Sequence, residues 1–169
     1  RYRPVTGYAG PHDESTKHAC PADDGIYRMD LKSGESRMLL SLAQAAALKP
    51  ADSMNGANHW FEHLVLSPTA ARLIFLHRWT VPQTKGFFTR MYTMNVDGSD
   101  VCCLADTGKV SHFDWRGPDR VLAWARQPGA GAEPTEGGDP TRADEDGQQE
   151  RGRGHEQGDG RRGGVAERL

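Results

Sequence analysis

Between Asn58 and Arg126 the chain consists of short apolar runs cut by turn signals. The runs are Asn58 to Leu66, Arg72 to Trp79, Arg90 to Val96, Val101 to Leu104, Ser111 to Arg116 and Val121 to Ala125. They are rich in β-branched and aromatic residues, and Ser67-Pro68, Asp97-Gly98 and Gly117-Pro118 punctuate them. This pattern predicts consecutive antiparallel strands, because branched and aromatic side chains suit a pleated surface while Gly, Pro and Asp turn the chain. No window shows the 3.6-residue recurrence that a long helix needs.

The stretch also repeats. His63-Leu64-Val65-Leu66-Ser67-Pro68 and His112-Phe113-Asp114-Trp115-Arg116-Gly117 occupy the same place, roughly 49 residues apart, a spacing in the range of propeller repeats. A second strand follows each, Leu73 to Leu76 and Val121 to Ala125. Upstream, Gly25 to Leu31 matches the third strand, with Tyr27 on Tyr92, Met29 on Met94 and Asp30 on Asn95. The expected fold is all-β: an incomplete β-propeller of about two four-stranded blades over residues 25–126. Residues 1–24 form an irregular N-terminal segment, and residues 127–169 a disordered low-complexity tail.

Within the partial propeller, Ile26 to Leu31 and Ser36 to Ala43 form a hairpin around Lys32-Ser33-Gly34-Glu35, and residues 44–48 a single helical turn ended by Lys49-Pro50. Alternation places Ile26, Arg28 and Asp30 on one face and Tyr27, Met29 and Leu31 on the other. The same alternation puts His59, Phe61 and His63 on a common face. His59 and His63 enclose Glu62, but Glu does not directly follow the first His and the flanks are strand formers, so the helical zinc-peptidase motif does not apply. Residues 80–89 are a linker. His12 and His18 sit among Gly, Pro and charged residues, as solvated loop histidines or metal ligands.

From Gln127 onward there is no aromatic residue and no Ile or Met. Such a segment cannot bury enough apolar surface to offset the entropy of ordering. The arginines of Gly152 to Gly164 are interleaved with acidic residues, which argues against an arginine–glycine nucleic-acid tail. The change falls where strand order should continue, which predicts a frameshift or misjoined coding sequence. The chain opens at Arg1, which predicts a true N-terminus further upstream. A formal net charge of −2 predicts neither nucleic acid nor a membrane surface as partner. Cys20, Cys102 and Cys103 form no disulfide framework, and the expected compartment is cytoplasmic.

Leu64-Val65-Leu66-Ser67-Pro68 and Met91-Tyr92-Thr93-Met94-Asn95-Val96-Asp97-Gly98-Ser99 resemble the repeat of TolB-like β-propellers. Within that class the chain looks most like the oligogalacturonate lyase group and its uncharacterised relatives. His63 and His112 before the blade strands, Phe75-Leu76-His77, Thr89-Arg90-Met91-Tyr92 and Ser111-His112-Phe113-Asp114-Trp115 carry the likeness, which covers about Asp24 to Arg126. Two departures stand out: Thr69-Ala70-Ala71 follows Ser67-Pro68, and Arg116-Gly117-Pro118-Asp119 replaces Ser-Pro-Asp-Gly. The resemblance implies a metal-dependent lyase that cleaves uronate saccharides by β-elimination, or a non-catalytic propeller that binds a ligand or protein. It implies His63, His112 and His77 as ligands of a divalent, Mn-like metal. The first strand of each blade lines the propeller channel, so equivalent histidines converge there. The metal would bind the uronate carboxylate and stabilise the charge formed on proton removal. Arg90 could hold a sugar carboxylate and Trp60 could stack on a sugar ring. The catalytic residue is unknown. The alternative is that His63 and His112 only bond backbone carbonyls, and that Trp60, Trp79, Trp115 and Trp124 are core between blades.

Overall fold

The computed structural model describes residues 18–81, 84, 86–127, 129, 131, 134 and 135. Among these residues the fold is three antiparallel sheets, all-β apart from one short α-helix and a 3₁₀ turn. Strands β1 (Gly25–Met29) and β2 (Ser36–Ser41) form a hairpin, followed by helix α1 (Leu42–Leu48) and a 3₁₀ turn (Asp52–Met54). Strands β3 (His59–Leu66), β4 (Arg72–Thr80), β5 (Phe87–Asn95) and β6 (Cys102–Gly108) form a four-stranded meander in chain order. A second hairpin, β7 (Val110–Trp115) and β8 (Val121–Ala125), completes the described fold.

The central sheet is covered on both faces, which explains why β4 reads as an unbroken apolar run rather than an alternating one. On one face Leu73, Phe75, Tyr92 and Met94 pack with Ile26 and Leu40 of the first hairpin and Ala45 of α1. On the other, Ile74, Leu76 and Met91 pack with Val110, and Phe113, Trp115, Val121, Ala123 and Ala125 of the second hairpin close over them. Ile74, Phe75 and Leu76 are fully buried. Each such side chain contributes about 1.5–3 kcal/mol by leaving water.

The strand borders differ from the sequence expectation where local chemistry outweighs pattern. Ser41 Oγ accepts from the Gln44 amide at 3.0 Å, and Gln44 Oε1 accepts from the Ser41 amide at 2.8 Å. This capping box ends β2 and starts α1 at Leu42, so Ala43 is helical rather than the end of the strand. The linker expected over residues 80–89 is shortened at both ends: β4 runs to Thr80 and β5 starts at Phe87. The expected Asp97-Gly98 turn is present. Gly98 has φ 91°, and a Cβ there would lie 3.0 Å from the Leu39 carbonyl oxygen. At Gly25 an added Cβ would come within 2.1 Å of the Leu40 carbonyl oxygen, so only glycine lets β1 cross β2 here.

Both β3 and β7 carry a bulge. Pairing jumps from Glu62↔Leu76 to Val65↔Ile74 in the first and from Ser111↔Trp124 to Phe113↔Ala123 in the second. Each bulge contains a histidine at positive φ, His63 at 55° and His112 at 49°. The extra residue resets alternation. His59 is therefore buried while His63 is exposed, and the expected common face for both does not form.

Most of the tail and residues 1–17 lie outside the described residues, including His12 and the arginine-rich stretch. Thr135 departs from the expected disorder of residues 127–169. It exchanges two backbone hydrogen bonds with Phe87, of 2.7 and 2.9 Å, beyond the last β5–β6 pair at Thr89↔Gly108.

Candidate functional site

Of the proposed metal ligands, the structure brings His63 and His112 to corresponding bulges and places His77 elsewhere. The His63 ring is exposed, its Nδ1 3.5 Å from Glu62 Oε2, and its centroid lies 6.4 Å from the ring of Phe113, the neighbour of His112. The His112 ring is exposed as well, and its Nδ1 lies 2.8 Å from Ser111 Oγ. Among the described residues, neither imidazole bonds a backbone carbonyl. Asp114, two residues after His112, accepts from the Trp115 amide at 2.7 Å at the surface. A positive φ costs a non-glycine residue about 1–2 kcal/mol, so holding imidazole here twice requires compensation from the strand pairing around it.

His77 is fully buried on β4, where its Nε2 lies 2.9 Å from Nδ1 of His59 on the neighbouring strand. Burial, then the neighbouring His59 and Arg90, push the His77 pKa down to about 3. Burial also lowers the pKa of His59, opposed by a backbone hydrogen bond with Met54. Of His77 Nε2 and His59 Nδ1, one donates to the other, so a single proton is shared across the pair. His77 Nδ1 is buried and has no hydrogen-bond partner among the described residues. The His59 ring stacks on Trp79 and the His77 ring lies tilted against it at 5.5 Å; Trp79 is 2% exposed and anchored by its Nε1 to Ser53 Oγ at 3.2 Å.

Arg90, proposed as a substrate contact, is directly opposite His77 in the β4–β5 ladder and 6% exposed. Its guanidinium lies 4.9 Å from the centre of the Trp79 ring and donates to the Lys49 carbonyl at the C-cap of α1. A cation at a helix C-terminus offsets the unpaired carbonyls there. Arg90 thus fastens α1 to the sheet. Beyond it, burial pushes the pKa of the Tyr92 hydroxyl up to about 12, and that hydroxyl has no hydrogen-bond partner among the described residues. Lys49 pairs with Asp106 at the surface and holds its carboxyl below the usual carboxylate range.

Trp60 occupies the opposite face of the same sheet end. It is half-buried, gives its Nε1 to Glu62 Oε1 at 3.0 Å, and meets Phe87 edge-on at 5.9 Å. Glu62 also pairs with Arg78, whose guanidinium stacks over Phe87 at 4.9 Å. Trp60, Glu62 and His63, with Asp24 and Leu64, line an open cleft of about 680 Å³ between β1 and β3. Sequence reasoning missed the Glu62–Arg78 pair, the His59–His77 pair and the Arg90 clamp. The first two join residues from paired strands, and strand register was their only signal. Trp79 and Trp115 are core as expected, Trp115 giving its Nε1 to the Val65 carbonyl at 3.3 Å. Trp124 is not core: it is 53% exposed, because no described element covers the outer face of β8.

Chemically, the bulges offer two accessible imidazoles that can donate, accept or bind a metal. Among the described residues no group of three or more His, Cys, Asp or Glu side chains is placed to hold a metal ion. The donor set therefore does not fit a complete protein-built metal site within this stretch. All three cysteines are free, and no described helix is long and apolar enough to cross a membrane. Comparison with known protein families, curated proteins and solved structures finds no match to this chain.

Proposed function

We propose that the chain is a stretch of a β-propeller, with two strands of one blade, a whole blade and two strands of the next. It acts as a non-catalytic, TolB-like platform that binds an acidic oligosaccharide at the rim carrying His63 and His112. One observation supports this above the others: an imidazole at left-handed torsion recurs in the same bulge of β3 and β7. Strained backbone repeated with the same side chain is better explained by use of that side chain than by packing. Trp60, half-buried beside His63 in the cleft, supplies aromatic surface for a sugar ring. A non-catalytic platform is favoured because Arg90 and His77, which an uronate lyase would use, are committed to the core. The three free thiols support a reducing compartment such as the cytoplasm.

Metal-dependent oligogalacturonate cleavage is a second reading, favoured by the exposure of two equivalent imidazoles. It needs ligands beyond the described residues. Calorimetric titration with oligogalacturonate, with and without Mn²⁺, separates the two while ultraviolet absorbance follows unsaturated product. Binding without product, weakened about tenfold or more by His63→Ala or His112→Ala, supports the platform, since one lost polar contact is worth about 1.4 kcal/mol. Metal-dependent product lost in both variants supports the lyase. No saccharide binding under either condition rejects both, and leaves a protein partner as the ligand class.

A further inference from the structure

The three sheets, aligned by their pairing, are two halves and a whole of one unit. The β3–β4 and β7–β8 turns are closed by Leu66↔Leu73 and Trp115↔Val121, and both first strands bulge at histidine. In that register β8 copies β4: Val121 and Ala123 correspond to Leu73 and Phe75, and Leu122 and Trp124 to Ile74 and Leu76. Their surroundings differ on one face only. Ile74 and Leu76 are fully buried under the second hairpin, whereas Leu122 and Trp124 are 51% and 53% exposed. Likewise β1 copies β5, with Tyr27 and Met29 matching Tyr92 and Met94. The β5 pair is buried, and the β1 pair is 51% and 57% exposed. Among the described residues, neither β1 nor β8 has a strand on its second edge.

From these complementary ends we infer that two copies of this chain join head to tail, β8 of one pairing antiparallel with β1 of the next. The inference rests on reading the sheets as copies of one four-stranded unit. The second hairpin supplies the two strands that the first hairpin lacks, so the join makes a composite four-stranded sheet. The β4–β5 register is its template. Phe75↔Tyr92 becomes Ala123 beside Tyr27, and Leu73↔Met94 becomes Val121 beside Met29. A hollow of about 390 Å³ lies beside the open edge of β1, lined by Ile26, Tyr27, Leu64 and Leu66. Trp124 of the incoming copy enters there and covers Leu64 and Leu66, which are 51% and 56% exposed. Unpaired edges next to apolar grooves are where strand addition gains backbone hydrogen bonds and apolar burial together. A head-to-tail join uses two different surfaces, so each copy keeps one free end for the next.

That asymmetry supplies the test. Trp124→Asp spoils the β8 end of every copy, and Tyr27→Asp the β1 end; both side chains are half-exposed, so neither change opens the core. In sedimentation, the unaltered chain should gain mass with concentration, and each variant alone should remain monomeric. An equimolar mixture should form a dimer of twice the monomer mass, since one intact end of each kind remains. A monomeric unaltered chain, a mixture without dimer, or single variants that associate as the parent does would overturn the inference. Hydrogen exchange on the Trp124→Asp monomer keeps the underlying reading separate. Protected β4 and β5 amides leave the stacked-sheet architecture standing whatever the mixture does, and unprotected ones count against the architecture itself.

Discussion

Strands β4 and β8 occupy equivalent places in their sheets, yet one is sealed and the other half open. On β4 the residues Ile74, Phe75 and Leu76 have no exposure, whereas on β8 every second residue faces water. The difference lies in what stands beside them rather than in the strands. β4 has strands on both edges and hairpins over both faces, while among the described residues β8 has one neighbouring strand, β7, and one covered face, packed on the central sheet. Stability in stacked units of this kind depends on neighbour interfaces more than on the unit itself. The largest test of that contrast is a matched pair of truncations. Leu76→Ala should cost about 2–5 kcal/mol, and Leu122→Ala less than about 1 kcal/mol, in urea unfolding of the monomer. Equal losses at the two sites would remove the distinction between covered and open strands.

The second comparison is between two kinds of histidine. His63 and His112 face solvent, while His59 and His77 share a proton inside the core. For His77 the folded-state pKa, about 3, lies below the ordinary value of 6.5. The unfolded chain therefore binds a proton more readily than the folded one between these limits. Stability is fully present above pH 6.5 and falls as pH drops toward 3, by at most about 1.4 kcal/mol per pH unit from this residue. A loss of roughly 3 kcal/mol between pH 6.5 and pH 4 is expected, measured as a falling urea midpoint. His77→Gln, which cannot titrate, should flatten that slope, and a slope unchanged by the substitution would assign the loss to other groups.

Much of this architecture was legible in the sequence. Turn chemistry at Ser67-Pro68 and Asp97-Gly98, with β-branched and aromatic runs between, located every strand from β3 to β8. The recurrence of His63 and His112 marked equivalent positions in two sheets. What stayed hidden depended on pairing across the chain. Alternation could not reveal the bulge at His63, because one inserted residue reverses the face of all that precede it. It could not separate Arg90, which looks like a ligand-binding cation, from the clamp that it is. The partner of Arg90 is a backbone carbonyl at Lys49, and a carbonyl leaves no sequence signature. The Ser41-x-x-Gln44 capping box was readable but was outweighed by the apolar pattern around it.

The clamp sets a smaller effect than the core truncations. Arg90→Met keeps the apolar stem over Trp79 but removes the donor to the Lys49 carbonyl. It should cost about 1–3 kcal/mol, with earlier hydrogen exchange in α1 than in β4. Uniform loss of protection across both elements would mean that Arg90 supports the sheet itself rather than the joint with α1.

The smallest effect bears most directly on function. At His63 and His112 the backbone adopts torsions that glycine accepts freely and other residues do not. Replacing either by Gly relieves that strain but frees the unfolded chain, and the two effects oppose each other at about 1 kcal/mol each. The net change in stability should lie within about 1 kcal/mol of zero. A packing role predicts a clear loss instead, since Gly removes the ring beside Phe113. If His63→Gly leaves the urea midpoint unchanged yet abolishes saccharide binding, the imidazole is retained for the ligand and the fold merely tolerates it. If it unfolds the protein, the bulge histidine is structural and the binding rim must be sought elsewhere.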